Sequence, residues 1–342
     1  MIAKLLDGMK MRCFQRIVRT LSKAGSSFVI IAWNESISIR SINEYQSALP
    51  IVQLKSNFFD EYKFTHKDSQ LSFEVESYPF KQSLLLSNLS AVTPQEIVLS
   101  VSDNNRNTVE KSNNSLEFKI NVIDYFEINH IWEFHITMNV TILKAVVDMS
   151  TVSSTLTCRC DIFDGIDQIF NKNNMVSLHI INPRSKNSKV KKVKDKKYPV
   201  MITTEKLIYD DCLATILKFE MNDKLAIEFD DELFDKHCDL GDSELELSFS
   251  LADFLIGIKI GSILSQKVTI HCSSPGNPIV IKSSMPNAAS FEMTIASCRG
   301  DSKSKYSDDE EINENERTRK RNKNTPIVYA PSESEREKYL KE

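Results

Sequence analysis

The chain has 342 residues, with 43 Lys and Arg against 47 Asp and Glu, and a formal net charge of −4. This composition is ordinary for a globular protein, and the length suits two domains followed by a tail. No apolar run approaches the roughly 18 residues of a membrane span, and the first residues lack the apolar core of a signal peptide. We therefore expect a cytosolic or nuclear protein without a membrane partner.

The charge is unevenly distributed along the chain. Residues 9–23 carry +5, residues 184–197 carry +7 and residues 300–342 carry −1, which leaves −15 on everything else. Such a body repels a polyanion over most of its surface and attracts it at two places. The pattern indicates a protein that meets nucleic acid on one face.

The seven cysteines offer no metal site. Only Cys158 and Cys160 are close in sequence, and a single C-x-C pair without a second pair is not a zinc signature. We expect reduced, buried thiols. We also expect that the protein has no cofactor.

The first predicted elements are a short strand at residues 2–6 and a basic helix at residues 9–23. At helical spacing the cations form one stripe, offset from an apolar stripe of Phe14, Ile17, Val18 and Leu21. We predict that the apolar stripe packs on protein. The cations predicted to face DNA are Lys10, Arg12, Arg16, Arg19 and Lys23.

Gly25 is predicted to end the basic helix, as a residue that tolerates a positive φ. A solvated surface is the alternative role for the cations. However, five cations without an intervening acid repel one another and gain no helical pairing, which favours an anionic partner.

The rest of the first half is predicted to be mostly sheet. A hairpin at 28–42 is followed by strands at 47–54, 71–75, 96–101 and 116–123 and by a second amphipathic helix at 78–89. Residues 126–154 mix short apolar runs without Gly or Pro. We interpret them as the end of domain one and an extended crossing segment.

The second half repeats this order. Helices are predicted at 162–170 and 251–260, and strands at 155–160, 175–181, 200–204, 215–221, 225–229, 245–249, 267–271, 279–283 and 291–296. The prediction is an α+β fold of two tandem domains, with helices on one face of antiparallel sheets. The predicted boundaries are domain one at 1–130, a connector at 131–154, domain two at 155–299 and a disordered charged tail at 300–342.

Several segments, in this order, resemble the DNA sliding-clamp superfamily, whose domains are PCNA-like. They are residues 12–25, 36–43, 57–62, 247–254, 274–281 and 291–297. The first, RCFQRIVRTLSKAG, is similar to the first helix of the Rad-nine subunit of the 9-1-1 checkpoint clamp, and SPGNPIVI is similar to a turn of clamp domains. The resemblance covers roughly residues 1–298.

The resemblance implies a non-catalytic nuclear subunit of a ring that encircles duplex DNA. The other two subunits would be of the Rad-one and Hus-one types, and an ATP-driven clamp loader would place the ring on DNA. A phosphorylated C-terminal tail would recruit a BRCT-repeat activator of the checkpoint kinase. One departure concerns Asp161, Asp164 and Asp167, which stand in the domain-two helix in place of lysines, so we expect this half to line DNA poorly.

The tail and one loop contain further candidate sites. The candidate phosphorylation sites, each followed by acidic residues, are Ser307, Ser332 and Ser334. The candidate import signal consists of Arg317, Arg319, Lys320 and Arg321. The basic loop 184–197 could touch DNA, act as an import signal or be a flexible insert, and its lack of interleaved aromatics argues against base stacking.

Two alternative functions stay open. A homotrimeric replication-type processivity clamp would require cationic helices in domain two. A metal-dependent exonuclease would need a carboxylate cluster, for which Asp230, Asp231 and Glu232 are the candidates, although neighbouring strand residues point to opposite faces. Because the motifs of phosphate loops, nucleophile elbows and zinc proteases are missing from the sequence, we predict that the protein is not an enzyme.

Overall fold

The structure is a computed structural model. It describes residues 1–43, 45–65, 69–85, 94–103, 116–138, 140–170, 175–181, 200–205, 224–229, 233–238 and 244–299. Residues 1–300 form one compact unit. The basic loop 184–197, the predicted strand 215–221, the acidic stretch 230–232 and the tail 300–342 with all its candidate sites lie outside the described residues.

The first half begins with strand β1 and the predicted basic helix. Its elements are β1 (Ile2–Leu5), α1 (Gly8–Leu21), β2 (Ser27–Trp33), β3 (Ser36–Ser41), β4 (Ala48–Lys55), β5 (Glu61–Lys63), β6 (Gln70–Glu76), α2 (Ser77–Leu85), β7 (Pro94–Asp103), β8 (Leu116–Asp124), β9 (Asn129–Phe134) and β10 (Thr137–Met138). Strand β9 pairs with β8 and so continues the sheet of the first half as far as Phe134.

The second half contains more strands and one long helix. Its elements are β11 (Ser154–Arg159), α3 (Ile166–Ile169), β12 (Met175–Ile181), β13 (Val200–Glu205), β14 (Lys224–Phe229), β15 (Phe234–Cys238), β16 (Glu244–Ser250), α4 (Leu251–Leu264), β17 (Lys267–Cys272), β18 (Ile279–Met285), β19 (Ala289–Ile295) and β20 (Cys298–Arg299).

The two halves repeat one strand order. In the first half, one sheet runs β5-β1-β7-β8-β9, and in the second half the strands β15-β11-β17-β18-β19 follow the same order. Likewise, β6-β2-β3-β4 corresponds to β16-β12-β13-β14. All the pairings are antiparallel. The tandem repeat predicted from the sequence is therefore present, whereas its residue boundaries stay predictions.

A single sheet joins the halves. Strand β4 pairs with β19 from Ala48↔Ile295 to Leu54↔Ala289. This pairing produces a ten-stranded central sheet. Strands β9 and β14, the equivalents of β19 and β4, are left at the ends of the two smaller sheets.

The helices cover one face of the sheets. A Cβ on Gly257 of α4 would lie 2.7 Å from Ile281 Cδ1 and 3.3 Å from Met293 Sδ, so α4 packs on these inward side chains of the central sheet. Because side chains alternate along a strand, Lys282 and Glu292 point to the opposite, outer face. Helix α1 packs beside α4 on the inner face.

The predicted helix 162–170 is wrong as a continuous helix, and only Ile166–Ile169 is α-helical. Residues 160–163 form a 3-10 turn, Asp164 is extended, and Gly165 has φ 81° ahead of the single helical turn of α3. Gly165 and the three aspartates favour turns and caps over helix interiors. Phe163 and Ile166 are nevertheless buried. The apolar pattern therefore predicted the buried residues correctly and the backbone conformation incorrectly.

The predicted role of Gly25 is also wrong. Helix α1 ends at Leu21, with Ser22 as its C-terminal cap, and Gly25 is not among the glycines with positive φ. A Cβ at Gly25 would lie 2.1 Å from the Ile42 carbonyl oxygen. Glycine is needed here because two backbone segments approach closely.

Candidate nucleic-acid interface

Helix α1 begins at a corner held by two aspartates. Asp7 Oδ1 accepts hydrogen bonds from the Met9 and Lys10 N–H groups at 2.6 and 3.2 Å. Asp60 Oδ2 accepts from the Leu6 and Asp7 N–H groups at 2.7 and 3.1 Å. These bonds satisfy backbone donors that a helix start leaves free, and they attach α1 to the segment before β5.

The apolar side of α1 fixes the rotation of the helix. Met11, Phe14, Ile17, Val18 and Leu21 are each no more than 2% exposed. Since these side chains recur at helical spacing, they cover one face, and the remaining face must point to solvent. The predicted packing of the apolar stripe is confirmed.

The opposite side of α1, together with the residue that follows its C-terminal cap, is the cationic face, which we define as Arg12, Arg16, Arg19 and Lys23. All four residues are exposed. Arg12 Nε donates to the Gly8 carbonyl at 3.1 Å, within the helix itself. Among the described residues, no carboxylate lies within ion-pair distance of the three arginines. Their charge is therefore available to an external anion.

Lys10 differs from the cationic face. Its Nζ lies 2.9 Å from Asp60 Oδ1, and its side chain is 32% exposed. Lys10 therefore belongs to the hydrogen-bonded cluster of Asp7 and Asp60 at the start of α1. Its contact with DNA stays a prediction. The sequence pattern missed Asp60 because its ion-pair partner is 50 residues away.

A neutral thiol lies beside the cationic face. Cys13 is half-buried in α1, and burial raises its pKa to about 11, although the nearby Arg16 acts in the opposite direction. The thiol is therefore protonated at neutral pH and subtracts no charge from the face.

The other inner-face elements add little positive charge. In α4, Lys259 is the one exposed cation of a helix whose other side chains are mostly buried. The 3-10 turn that contacts α4 exposes Asp161, which pairs with Arg159, and Asp164 is exposed directly after this turn. Among the described inner-face residues, positive charge is therefore concentrated on α1.

We predict that Asp60→Asn destabilises the protein by about 1 kcal/mol at neutral pH, a modest value because the carboxylate is partly exposed. Burial opposes ionisation of Asp60, but hydrogen bonds from the Leu6 N–H, the Lys10 ammonium and the Asp7 N–H hold its pKa below the ordinary value. A lowered carboxyl pKa contributes stability that is lost as pH falls through the folded-state value. The difference between the two proteins should therefore shrink below about pH 4.

Urea denaturation across pH measures this difference. The exposed Glu35→Gln serves as control, since the structure gives the Glu35 side chain no ion pair among the described residues. A constant difference between wild type and Asp60→Asn from pH 7 to pH 3 would contradict the role assigned to the ionised carboxylate.

Among the described residues, no group of three or more His, Cys, Asp and Glu side chains could hold a metal ion. Within the same residues, no helix has the length and apolarity needed to cross a membrane.

Comparisons with known proteins match this chain to a family and to a known fold. A family model described as Rad9 matches residues 14–297. A solved chain in the PCNA2–PCNA3 complex from Sulfolobus tokodaii matches with a TM-score of 0.60 and 15% identity, covering 87% of this chain and 99% of that chain. No curated protein matches. The structural match confirms the predicted fold of two tandem PCNA-like domains.

Proposed function

Because the chain belongs to the Rad9 family and has a PCNA-like fold, we propose that this DNA damage checkpoint clamp subunit acts as a non-catalytic member of a heterotrimeric ring around duplex DNA. The observation that carries the proposal is the cationic face: three exposed arginines and a lysine lie on the helical layer, and no described carboxylate pairs with the arginines. Contacts of this kind neutralise phosphates without reading bases.

The sheet topology supports assembly into a ring. The halves are joined by β4 and β19, whereas β9 pairs only with β8 and β14 only with β13 among the described strands. An edge equivalent to β14 on a neighbouring subunit could pair with β9 in the way that β4 pairs with β19. Unpaired edges of this kind are templates for strand addition, and repetition with a closing rotation produces a ring.

The proposed ring contains different subunits. Three identical copies would each bring the exposed Asp161 and Asp164 to the inner layer, where they repel phosphate. Partners with more basic second halves reduce this penalty, because only one of the three subunits then brings these aspartates to the inner layer. By analogy with the family, we propose that these partners are of the Rad-one and Hus-one types, that a clamp loader places the ring on DNA, and that a BRCT-repeat activator binds the tail.

We predict that the double variant Ile128→Asp, Ile131→Asp no longer assembles with its partner subunits. The two isoleucines are 53% and 57% exposed at the β8–β9 turn and on β9, beside Tyr125 and Phe126, each 68% exposed. Exposed apolar residues at a sheet edge are typical of an interface core, and two buried, unpaired carboxylates would oppose association.

Size-exclusion chromatography with light scattering on the mixed subunits measures assembly. Val146→Asp, at a position that is 93% exposed in the connector, is the control and should assemble normally. A ring of normal size with the double variant would argue against the β9 edge. Stable trimers of this chain alone would argue against the heterotrimer.

The remaining proposals concern the tail. We propose that the protein is nuclear, that Arg317–Arg321 contributes to import, and that Ser307, Ser332 or Ser334 is phosphorylated. A phosphate next to acidic residues suits an arginine-lined pocket on a partner domain. Mass spectrometry of the protein purified from damaged and undamaged cells tests the serines directly, and an unmodified tail under both conditions would contradict the proposed signalling role.

A further inference from the structure

The outer face of the central sheet contains a trough that the DNA-binding proposal does not use. We call it the outer trough and define it by Gln53, Lys267, Lys282, Ser284, Ser290 and Glu292. Its volume is about 550 Å³. It crosses strands β4, β19, β18 and β17, and therefore spans the junction between the two halves.

The trough exists because short side chains lie between long ones. Ser290 pairs in register with Gln53 on one side and with Ser284 on the other. In the next row, Lys282 and Glu292 form an ion pair at 3.1 Å and make a wall. Small hydroxyl side chains thus form the floor. The structure gives neither Ser284 Oγ nor Ser290 Oγ a hydrogen bond among the described residues, so both can serve a ligand.

The outer trough has a net charge of +1 on an otherwise acidic protein, because Glu292 offsets Lys282 and leaves Lys267 uncompensated. Lys267 is exposed, and no described carboxylate lies within ion-pair distance of it. Lys55 is exposed two residues beyond Gln53, on the same side of β4. Outside the basic helix, the basic loop and the tail, the chain carries −15. A local positive site of this kind selects an acidic ligand.

A second hollow extends the trough along the sheet. It has a volume of about 410 Å³, shares Gln53 with the outer trough, and is lined by Trp33, Glu35 and Ser36. From β2 to β17 the surface crosses six strands, or roughly 24 Å at about 4.8 Å per spacing. An extended segment of about seven residues covers that distance.

The outer trough stays accessible when α1 is occupied. Val52, Leu54, Phe291 and Met293 point inward to the helices and are each no more than 2% exposed. Gln53, Ser290 and Glu292 alternate with them and so point away from α1. A ligand in the trough and DNA on the cationic face would bind opposite sides of the sheet.

We propose that the outer trough binds an extended acidic peptide segment of a partner protein, with its carboxylates or phosphate at Lys267 and Lys282 and an apolar side chain against Trp33. Ammonium groups and hydroxyls provide the donors for the anion, and the indole provides the apolar surface. This inference does not depend on ring formation or on DNA binding.

Fluorescence anisotropy with the full chain tests the proposal. The probes are a labelled nine-residue peptide with a central Glu-Glu-Glu and a Leu near one end, the same peptide with phosphoserine at the centre, and a version with Gln for Glu. We expect the two anionic peptides to bind and the Gln version to bind at least tenfold more weakly. The tighter of the two anionic peptides identifies whether carboxylate or phosphate is preferred.

Two variants locate the site. Lys267→Glu should raise the dissociation constant about tenfold, and Ser284→Tyr, which fills the floor without changing charge, should weaken binding as well. Lys259→Glu, at the exposed cation of α4 on the inner face, should leave binding unchanged. Absence of binding to the wild type would overturn the proposal. So would binding that Lys267→Glu and Ser284→Tyr leave intact while the loss of Arg12, Arg16 and Arg19 abolishes it.

Discussion

Changing Arg12, Arg16 and Arg19 together to Glu is expected to weaken duplex DNA binding by on the order of 100-fold near 0.1 M salt. Each arginine that contacts a phosphate releases counterions and contributes about 0.9 to the slope of log affinity against log salt concentration. Three lost contacts should therefore flatten that slope by about three. The introduced glutamates also repel the DNA phosphates, which weakens binding further. Anisotropy of a labelled duplex over a salt series measures both quantities.

A matched variant distinguishes the effect of where the cations lie from the effect of net charge on DNA binding. Lys55, Lys267 and Lys282 are three cations on the outer face, and changing them to Glu alters the net charge by the same amount. This outer variant should keep most of its DNA affinity and its salt slope. Equal weakening by the two triple variants would show that DNA binding follows total charge and not the cationic face.

The fold should tolerate the change of Arg12, Arg16 and Arg19 to Glu. All three arginines are exposed, and the side chains that hold α1 are on the other face and fully buried. Surface substitutions of this kind usually change stability by less than about 0.5 kcal/mol each. Thermal denaturation of the variant provides the check, and a large loss of stability would remove the functional interpretation.

Gly25→Ala is expected to destabilise the protein by about 3 kcal/mol, the largest effect that we predict for a single methyl group. The new Cβ would lie 2.1 Å from the Ile42 carbonyl oxygen and 2.8 Å from Ser41 Oγ. The backbone at Ser41 is held by its pairing with Phe28, and the Gly25 carbonyl accepts from Ser77 Oγ at 2.8 Å. Neither segment can move without breaking these contacts.

Two companion variants show whether steric overlap or a positive φ explains the need for glycine at position 25. Asn tolerates a left-handed backbone, so Gly25→Asn would destabilise the protein only slightly if glycine were required for a positive φ. Because the close approach to Ile42 is the reason, Gly25→Asn should destabilise it at least as much as Gly25→Ala. Gly8→Ala, at a position with no atom within 4 Å of the added Cβ, should be neutral or stabilising by up to about 1 kcal/mol. Urea and thermal denaturation measure all three, and a stable Gly25→Ala would contradict the close approach.

Much of the fold was predictable because it follows from local periodicity. The strict alternation in β3 and β6 and the helical spacing in α1 each reveal a buried face without any knowledge of neighbours. The same reasoning failed at residues 162–170, where a single glycine with φ 81° outweighs an apolar pattern of helical spacing. Strand β15 was missed because its sequence, FDKHC, has three polar residues in a row between two apolar ones and so shows no alternation.

The candidate site was predicted in part for the same reason. Charge and spacing identified the cationic face, but they could not separate Lys10 from the other four cations. That separation depends on Asp60, which reaches Lys10 across 50 residues of chain. The β9 edge and the outer trough likewise depend on which strands become neighbours.

Periodicity and charge along the chain were sufficient to establish the repeated α+β halves, the buried side of α1 and the exposed stripe of cations. The pairing of β4 with β19, the corner at Asp60, the reason for Gly25 and the outer trough came only from the folded molecule. The difference has a physical origin. The burial of a helix or strand face follows from the order of neighbouring residues, whereas contacts between distant segments depend on the packing of the whole unit.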